Sequence, residues 1–172
     1  MKINQHTNVI KDIMHFPAIS VSVRDSIRAV ELVLTLHDIN VLPVLVKEEP
    51  VGLITRKIVE KAIHHKLEDD FVEEYMIRRF SVAKPDEFLI SVVPIIIEER
   101  QRLIPVVDLA NKLVGVVSRD DILQAIQANE PGKIKPILDQ GASRGRKNIK
   151  SLLKERLGQE LLSILELSLI HI

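Results

Sequence analysis

The sequence has no cysteine and no tryptophan, one tyrosine and four phenylalanines among its 172 residues. The absence of cysteine excludes disulfides and thiolate metal sites, and few aromatics mean an aliphatic core of Val, Ile and Leu. The 24 basic and 24 acidic residues balance, so no net field favours nucleic acid or an anionic membrane. No signal peptide and no run of the ~20 apolar residues that span a bilayer is present. These absences predict a soluble, cytoplasmic protein.

What the sequence does contain is one pattern that occurs twice. Leu42-Pro43-Val44, followed by Gly52-Leu53-Ile54-Thr55-Arg56, returns as Ile104-Pro105-Val106, followed by Gly115-Val116-Val117-Ser118-Arg119. The offset is 105 − 43 = 62 for the prolines and 115 − 52 = 63 for the glycines. Nearly the same spacing relates Met14 to Met76, Ser20-Val21 to Ser81-Val82, and Asp25 to Asp86. Because about 50–65 residues is small for an isolated domain, the copies are expected to share a core.

Each copy predicts the order strand, helix, strand, strand, helix, with the last two strands as a hairpin and a crossover before them. In the first copy the predicted elements are a strand at 19–21, a helix capped at Arg24-Asp25-Ser26, strands at 41–46 and 51–55, and a helix at 56–65. In the second copy they are a start at Ser81, a helix capped by Asp86, strands at 103–107 and 113–118, and a closing helix. Pro94 predicts a kink or bulge in the Asp86 helix. A short helical linker is expected at 69–76.

The repeat pattern resembles the CBS (cystathionine-β-synthase-type) domain, which occurs as an intramolecular pair. The paired Met, Asp, Pro-Val and Gly-x-x-[Ser/Thr]-Arg positions carry the resemblance, over about residues 10–127. It implies an α/β (α+β) fold of two βαββα repeats, packed as a pseudo-two-fold pair, that often forms a homodimer and binds adenosine nucleotides. The expected domains are an N-terminal lead-in at 1–13, repeat 1 at 14–66, repeat 2 at 67–127, a linker at 128–146 and a helical C-terminal segment at 147–172.

A narrower resemblance is to the CBS region of long bacterial tRNA nucleotidyltransferases, also described as poly(A) polymerase family proteins. It is carried by the sequences at 54–65, 72–76 and 98–107, and by 147–166, which is similar to the lead-in to the nucleotidyltransferase head. The resemblance implies a flanking DHH-type domain, a following nucleotidyltransferase head and, through the parent protein, a contact with tRNA. Residues 1–172 themselves contain no Ser-His-Asp set, cysteine nucleophile, Walker loop or paired-carboxylate motif. No catalysis is predicted for this segment.

The second copy contains the better candidate site for an adenosine nucleotide (AMP, ADP or ATP). Val116 and Val117 alternate faces, so one of them can line an apolar slot for a purine. Ser118 ends the strand where a helix begins, which suits a phosphate, and the Asp121 carboxylate can accept hydrogen bonds from ribose hydroxyls. The alternative interpretation is an ordinary capping pair, and both roles can coexist. With the contacts implied by the resemblance, the predicted site comprises Ser81, Val82, Arg102, Pro105, Val116, Ser118, Arg119 and Asp121.

The first copy departs from this pattern at one position. The predicted site there comprises Ser20, Val21, Pro43, Thr55 and Arg56, but Ile58 stands where Asp121 stands in the second copy. Without a ribose-binding carboxylate, this site is predicted to be weak or vacant.

Two further features have plainer interpretations. His64 and His65 are adjacent on a predicted helix and point about 100° apart, so no metal site is expected. The basic residues between 144 and 156 lack interleaved aromatics, so any RNA contact would be to phosphate. A ligand-free structural or dimerisation module and a free-standing CBS regulator remain the alternatives to a nucleotide sensor.

Overall fold

The computed structural model describes residues 9–129 of the chain. Most of the predicted linker and the predicted C-terminal helical segment lie outside the described residues. The chain divides into two compact units. We call residues 14–85 and 102–117 the sheet unit, and the described residues 9–13, 86–101 and 118–129 the helical unit.

The first repeat lies within the sheet unit and forms the predicted order of elements. These are β1 (Val21–Ser22), α1 (Ile27–Leu36), β2 (Val41–Val46), β3 (Glu49–Thr55) and α2 (Arg56–His64). β1 runs parallel to β2, with Val21 opposite Val44, and β2 pairs antiparallel with β3. The predicted crossover and hairpin are therefore confirmed. β3 begins at Glu49 rather than at residue 51, and the register between the strands shifts at Val44 and Leu45.

The core of this repeat is aliphatic, as the composition predicts. α1 contributes Ile27, Val30 and Leu34, which are almost fully buried and recur at helical spacing. The central positions of β2 are buried on both faces, which is why this strand is a nearly continuous apolar run. The buried cluster contains no aromatic residue; its members are Val21, Ile27, Val30, Leu34, Leu42, Val44, Ile54, Val59, Ala62, Val72 and Met76.

The second repeat has the same elements in a reduced form. They are α3 (Leu89–Ile97) and α4 (Arg119–Asn129), and β4 (Leu103–Val107) paired with β5 (Leu113–Ser118). Both strands have the predicted bounds. The predicted first strand is reduced to a single parallel bridge between Ala83 and Val106. Pro94 lies inside α3, and the kink or bulge predicted there stays a prediction.

The structure confirms that the segment Arg24-Asp25-Ser26 caps α1, and it corrects the predicted cap Asp86 of α3. At α1 the capping side chain is Ser26, whose hydroxyl accepts from the Ala29 amide at 3.2 Å. Asp25 instead accepts from the Ser22 amide at 2.8 Å. α3 begins after Phe88 without a side-chain cap, and Asp86 forms an exposed ion pair with Lys11 at 3.2 Å. Asp86 lies too far before the helix start to reach the first orphan amides.

Each of the two repeated glycines lies in a hairpin strand that pairs with a segment of the other repeat. Residues 76 and 77, which lead into the second repeat, pair with β3: the Leu53 amide donates to the Ile77 carbonyl at 2.9 Å, and the reverse bond is 2.7 Å. Residues 14 and 15, which lead into the first repeat, pair in the same way with Val116 of β5, at 2.9 and 3.0 Å. A Cβ atom at Gly52 would lie 2.5 Å from Met76 Sδ, and one at Gly115 would lie 2.9 Å from Met14 Sδ. The repeated Met and Gly are thus contact partners, each pair joining one repeat to the other.

We predict that Gly52→Ala destabilises the protein by about 1–3 kcal/mol, because the new methyl group overlaps Met76 and lies 3.2 Å from the Ile77 carbonyl oxygen. Chemical denaturation would measure the change. Met76→Ala should then cost less in the Gly52→Ala protein than in the wild type, since the smaller side chain relieves the overlap. As a control, Leu109→Ala at a fully exposed position should change stability by less than about 0.5 kcal/mol. A Gly52→Ala protein as stable as the wild type would contradict the close contact of Gly52 with Met76 and Ile77.

The segment between the repeats docks on the start of α1. Its predicted helix is only a 3-10 turn, Val72–Glu74. The segment supplies carbonyl acceptors to the first amides of α1: Ile27 donates to Asp70 at 3.0 Å and Arg28 donates to Glu68 at 2.9 Å. These bonds satisfy helix-start donors that otherwise lack partners. The Tyr75 hydroxyl donates to the Asp70 carboxylate and so holds the end of the segment.

The same contact predicts an unusual tyrosine titration. The hydrogen bond to Asp70 is the main cause that raises the pKa of Tyr75 from 10.0 to about 12. The neutral phenol is favoured in the folded state, so this contribution to stability is complete below pH 10 and is lost as the pH rises through 12. Because Tyr75 is the only tyrosine and tryptophan is absent, the ultraviolet absorbance of the phenolate measures it directly. Asp70→Ala should move the midpoint back towards 10.0; the same midpoint in both proteins would refute the contact.

Candidate functional site

The strand-to-helix junction of the second repeat holds the best candidate residues. β5 ends at Ser118 and α4 begins at Arg119. Along β5, Gly115 and Val117 are buried whereas Val116 and Ser118 are half-buried, so the predicted alternation of faces is present. The main chain of Val116 is already paired with His15 in both directions.

Ser118 and Asp121 form a reciprocal capping pair at the start of α4. Asp121 Oδ2 accepts from the Ser118 amide at 2.9 Å and from the Ser118 hydroxyl at 2.6 Å. The Asp121 amide in turn donates to Ser118 Oγ at 3.1 Å. This is the geometry of a capping box, in which two orphan donors are satisfied at once. The capping interpretation of these two residues is therefore confirmed, and a ligand role has to coexist with it.

The other predicted residues of the second copy belong to the sheet unit. Residues 81–83 run beside β4: the Ala83 amide donates to the buried Pro105 carbonyl at 3.0 Å, and the Val107 amide donates to Ala83 at 2.9 Å. The structure thus brings the predicted base-binding segment, with Val82 37% exposed, next to Pro105. Arg102 is exposed just before β4. The roles of these residues in binding stay predictions.

In the first repeat, the matching junction has a simpler cap. Thr55 is the N-cap of α2, and its hydroxyl accepts from the Ile58 amide at 3.3 Å. Ile58 packs against the buried core cluster instead of offering a carboxylate. Of the remaining predicted residues, Val21 and Pro43 are buried in paired strands, and Ser20 is half-buried.

Arg56, predicted as a nucleotide contact of the weaker site, has its guanidinium bound within its own repeat. Its Nε donates to Asn40 Oδ1 at 3.0 Å. One terminal nitrogen, Nη2, donates to the carbonyls of Leu34 and Ile39, both at 2.8 Å. Sequence reasoning missed this arrangement. One difference between the copies could have indicated it. Asn40, shortly after α1, can accept a hydrogen bond from an arginine, whereas its counterpart in the second copy is Arg102 (40 + 62 = 102).

Some classes of site find no support within residues 9–129. This part of the chain contains no group of three or more His, Cys, Asp or Glu side chains placed to hold a metal ion. None of its helices combines the length and the apolarity needed to cross a bilayer. The basic residues between 144 and 156 lie outside the described residues.

The family match decides the identity of the fold. The family model described as "CBS domain" matches residues 10–65 and again 72–128. The chain belongs to the CBS domain family. The predicted family and fold class, a mixed α/β CBS pair, are confirmed by this match and by the likeness to solved CBS domain pairs.

Two curated relatives resemble this CBS pair and carry the same name. The A-adding tRNA nucleotidyltransferase of Geobacter sulfurreducens is 34% identical over 131 residues, which is 76% of this chain and 15% of the relative. The A-adding tRNA nucleotidyltransferase of Aquifex aeolicus is 33% identical over 120 residues, 69% of this chain and 14% of the relative. The chain therefore spans about a seventh of the length of the relatives it matches.

Among solved structures, the chain is similar to the CBS domain pair of protein MJ0100 in complex with 5'-methylthioadenosine and S-adenosyl-L-methionine. The identity is 29%, the TM-score is 0.65, and the match covers 72% of this chain and 99% of the other. Both ligands of that protein are adenosine derivatives.

Proposed function

We propose that this CBS pair binds an adenosine nucleotide in its second repeat and regulates the protein to which it belongs. The observation that carries the proposal is the Ser118–Asp121 pair, a hydroxyl and a carboxylate joined at the end of β5. The first repeat has Thr55 and Ile58 at these positions and so lacks the carboxylate. The adenosine derivatives bound by the related MJ0100 pair support an adenosine ligand here.

The capping pair can exchange partners without losing the cap. A ribose hydroxyl would replace the Ser118 hydroxyl as a donor to Asp121 Oδ2, while Ser118 Oγ still accepts from the Asp121 amide. The Ser118 hydroxyl would then donate to a ligand phosphate. A charge-assisted hydrogen bond of this kind contributes about 1.5–3 kcal/mol. The contacts predicted from the sequence at Ser81, Val82, Arg102, Pro105, Val116 and Arg119 stay predictions.

We predict that Asp121→Asn weakens the binding of AMP, ADP or ATP about ten- to a hundredfold, since the amide loses the charge but keeps an oxygen that can accept from the Ser118 amide. Isothermal titration calorimetry measures the affinities. The matched control is Asp120→Asn, the exposed neighbour that has no role in the cap and should bind as the wild type does. Equal affinities of the wild type and the Asp121→Asn protein would refute the proposed site.

We further propose that the pair works as the CBS region of a cytoplasmic nucleotidyltransferase that acts on tRNA 3′ ends. The two A-adding tRNA nucleotidyltransferase relatives support this. In such a protein a nucleotide that favours one packing of the pair would shift the population of the flanking domains, DHH-type and nucleotidyltransferase, and so their contact with tRNA. The length of the native open reading frame tests the arrangement, because a short frame would indicate a free-standing CBS regulator.

A homodimerisation module is the second candidate function, and one surface favours it. Leu32 and Leu36 lie one turn apart on α1 and are 66% and 80% exposed. Large apolar side chains that lie together on an exposed helix face are typical of a protein–protein contact.

We predict that the double variant Leu32→Asp, Leu36→Asp lowers the dimer fraction in analytical ultracentrifugation, because a carboxylate buried at the interface loses its hydration. The matched control is Leu109→Asp, at a leucine that is 97% exposed on the turn between β4 and β5. A dimer that survives both changes would place the interface elsewhere, and a wild type that is monomeric at all concentrations would remove this candidate function.

A further inference from the structure

The arginine that follows the capping residue occurs in both repeats but has different surroundings in each. Arg56 follows Thr55 at the start of α2, and Arg119 follows Ser118 at the start of α4, an offset of 119 − 56 = 63. Both side chains are half-buried. Arg56 makes three side-chain hydrogen bonds inside its repeat. Among the residues whose side chains the structure describes, 9–126, none makes a hydrogen bond or ion pair with the side chain of Arg119.

The bonds of Arg56 close the C-terminal end of α1. The Leu34 carbonyl, in the last turn of α1, accepts from Arg56 Nη2 and also from the Ile39 amide at 3.1 Å. The Ile39 carbonyl accepts from the same Nη2, and the Arg56 amide donates to the Asn40 carbonyl at 2.8 Å. A cation at this end of a helix satisfies orphan carbonyls and complements the negative end of the helix dipole.

These bonds leave no intact fork for an anion. A guanidinium binds a phosphate or carboxylate strongly through two parallel N–H groups, either Nε with Nη2 or Nη1 with Nη2. In Arg56 the Nε–Nη2 pair donates to Asn40 and to one of the two backbone carbonyls. The Nη1–Nη2 pair is incomplete, because the other Nη2 hydrogen donates to the second carbonyl. A bidentate anion could therefore bind only after at least one of these bonds is broken.

The second repeat lacks the side-chain acceptor of this arrangement. By the offset of 62, the position of Asn40 is occupied by Arg102, whose guanidinium has five donors and no acceptor. The second repeat thus has a cation where the first has an acceptor. The difference between the repeats is therefore already present in the sequence and is not only a matter of side-chain conformation.

We propose that Arg56 is an autoinhibitory latch, whose hydrogen bonds within its own repeat close the first repeat to anionic ligands. The latch is a positioning contact: Arg56 holds the end of α1 and is thereby withheld from a phosphate. This goes beyond the proposed nucleotide site, because it concerns the other repeat and holds whether or not Asp121 binds ribose.

The availability of each guanidinium can be measured in one sample of the whole chain. A vicinal dicarbonyl reagent modifies arginines whose guanidinium is free, and mass spectrometry reads the rate at each site. We expect Arg56 to be modified about tenfold or more slowly than Arg119, its counterpart in the second repeat with the same class of exposure. Inorganic phosphate or AMP, added in excess, should leave the rate at Arg56 unchanged.

Two variants of the exposed residue Asn40 test whether its hydrogen bond to Arg56 causes the slow modification. Asn40→Ala removes the acceptor of Nε and should raise the rate at Arg56 several-fold, whereas Asn40→Asp keeps an acceptor oxygen and should leave Arg56 slow. Neither change should alter the rate at Arg119. The latch is refuted if Arg56 reacts as fast as Arg119 in the wild type, or if phosphate or AMP protects Arg56.

The outcome is separable from that of the nucleotide proposal. Failure of AMP to protect Arg119, together with equal binding by the wild type and Asp121→Asn, would overturn the second-repeat site and leave the latch standing. Protection of both arginines would overturn the latch and leave that site standing.

Discussion

The crossing of residues 14–15 over β5 and of residues 76–77 over β3 is the contact on which the sheet unit depends. Each crossing makes two backbone hydrogen bonds and brings a methionine against a glycine that has no side chain to obstruct it. A segment near the start of each repeat thus pairs with the hairpin of the other. A repeat of about 60 residues buries little apolar surface by itself and is marginally stable, so this exchange lets the two hairpins stabilise each other.

The two strand-to-helix junctions share one duplicated motif but differ in the contacts of its side chains. Both have a hydroxyl that caps a helix and an arginine directly after it. At the first junction Ile58 turns into the core and Arg56 binds carbonyls of its own repeat. At the second, the hydroxyl is paired with the Asp121 carboxylate. The polar groups of the first junction therefore bind within their own repeat, whereas the second junction has in addition the carboxylate to which the proposed function assigns a ribose.

Much of the fold follows from local patterns that are legible in the chain. The Pro-Val strands, the hairpins and the first closing helix have nearly the predicted bounds, because β-branched runs and helical periodicity are strong signals when they repeat at a fixed offset. Caps were less predictable. The predicted cap Arg24-Asp25-Ser26 of α1 left open which side chain acts, and the structure shows that it is Ser26, whereas α3 has no side-chain cap in place of the predicted Asp86. A difference of one or two residues decides which oxygen reaches a helix start.

The sequence by itself determined the duplication, the family, the aliphatic composition of the core and the difference between Ile58 and Asp121, since each is a property of residue identity and spacing. Only the tertiary structure decided why glycine occupies positions 52 and 115 and what the Arg56 guanidinium binds. Both depend on contacts between segments far apart in the chain: Met76 lies 24 residues beyond Gly52 (76 − 52), and Arg56 lies 22 residues beyond Leu34 (56 − 34). Such pairings are set by how the helices and hairpins pack, and no local pattern encodes them.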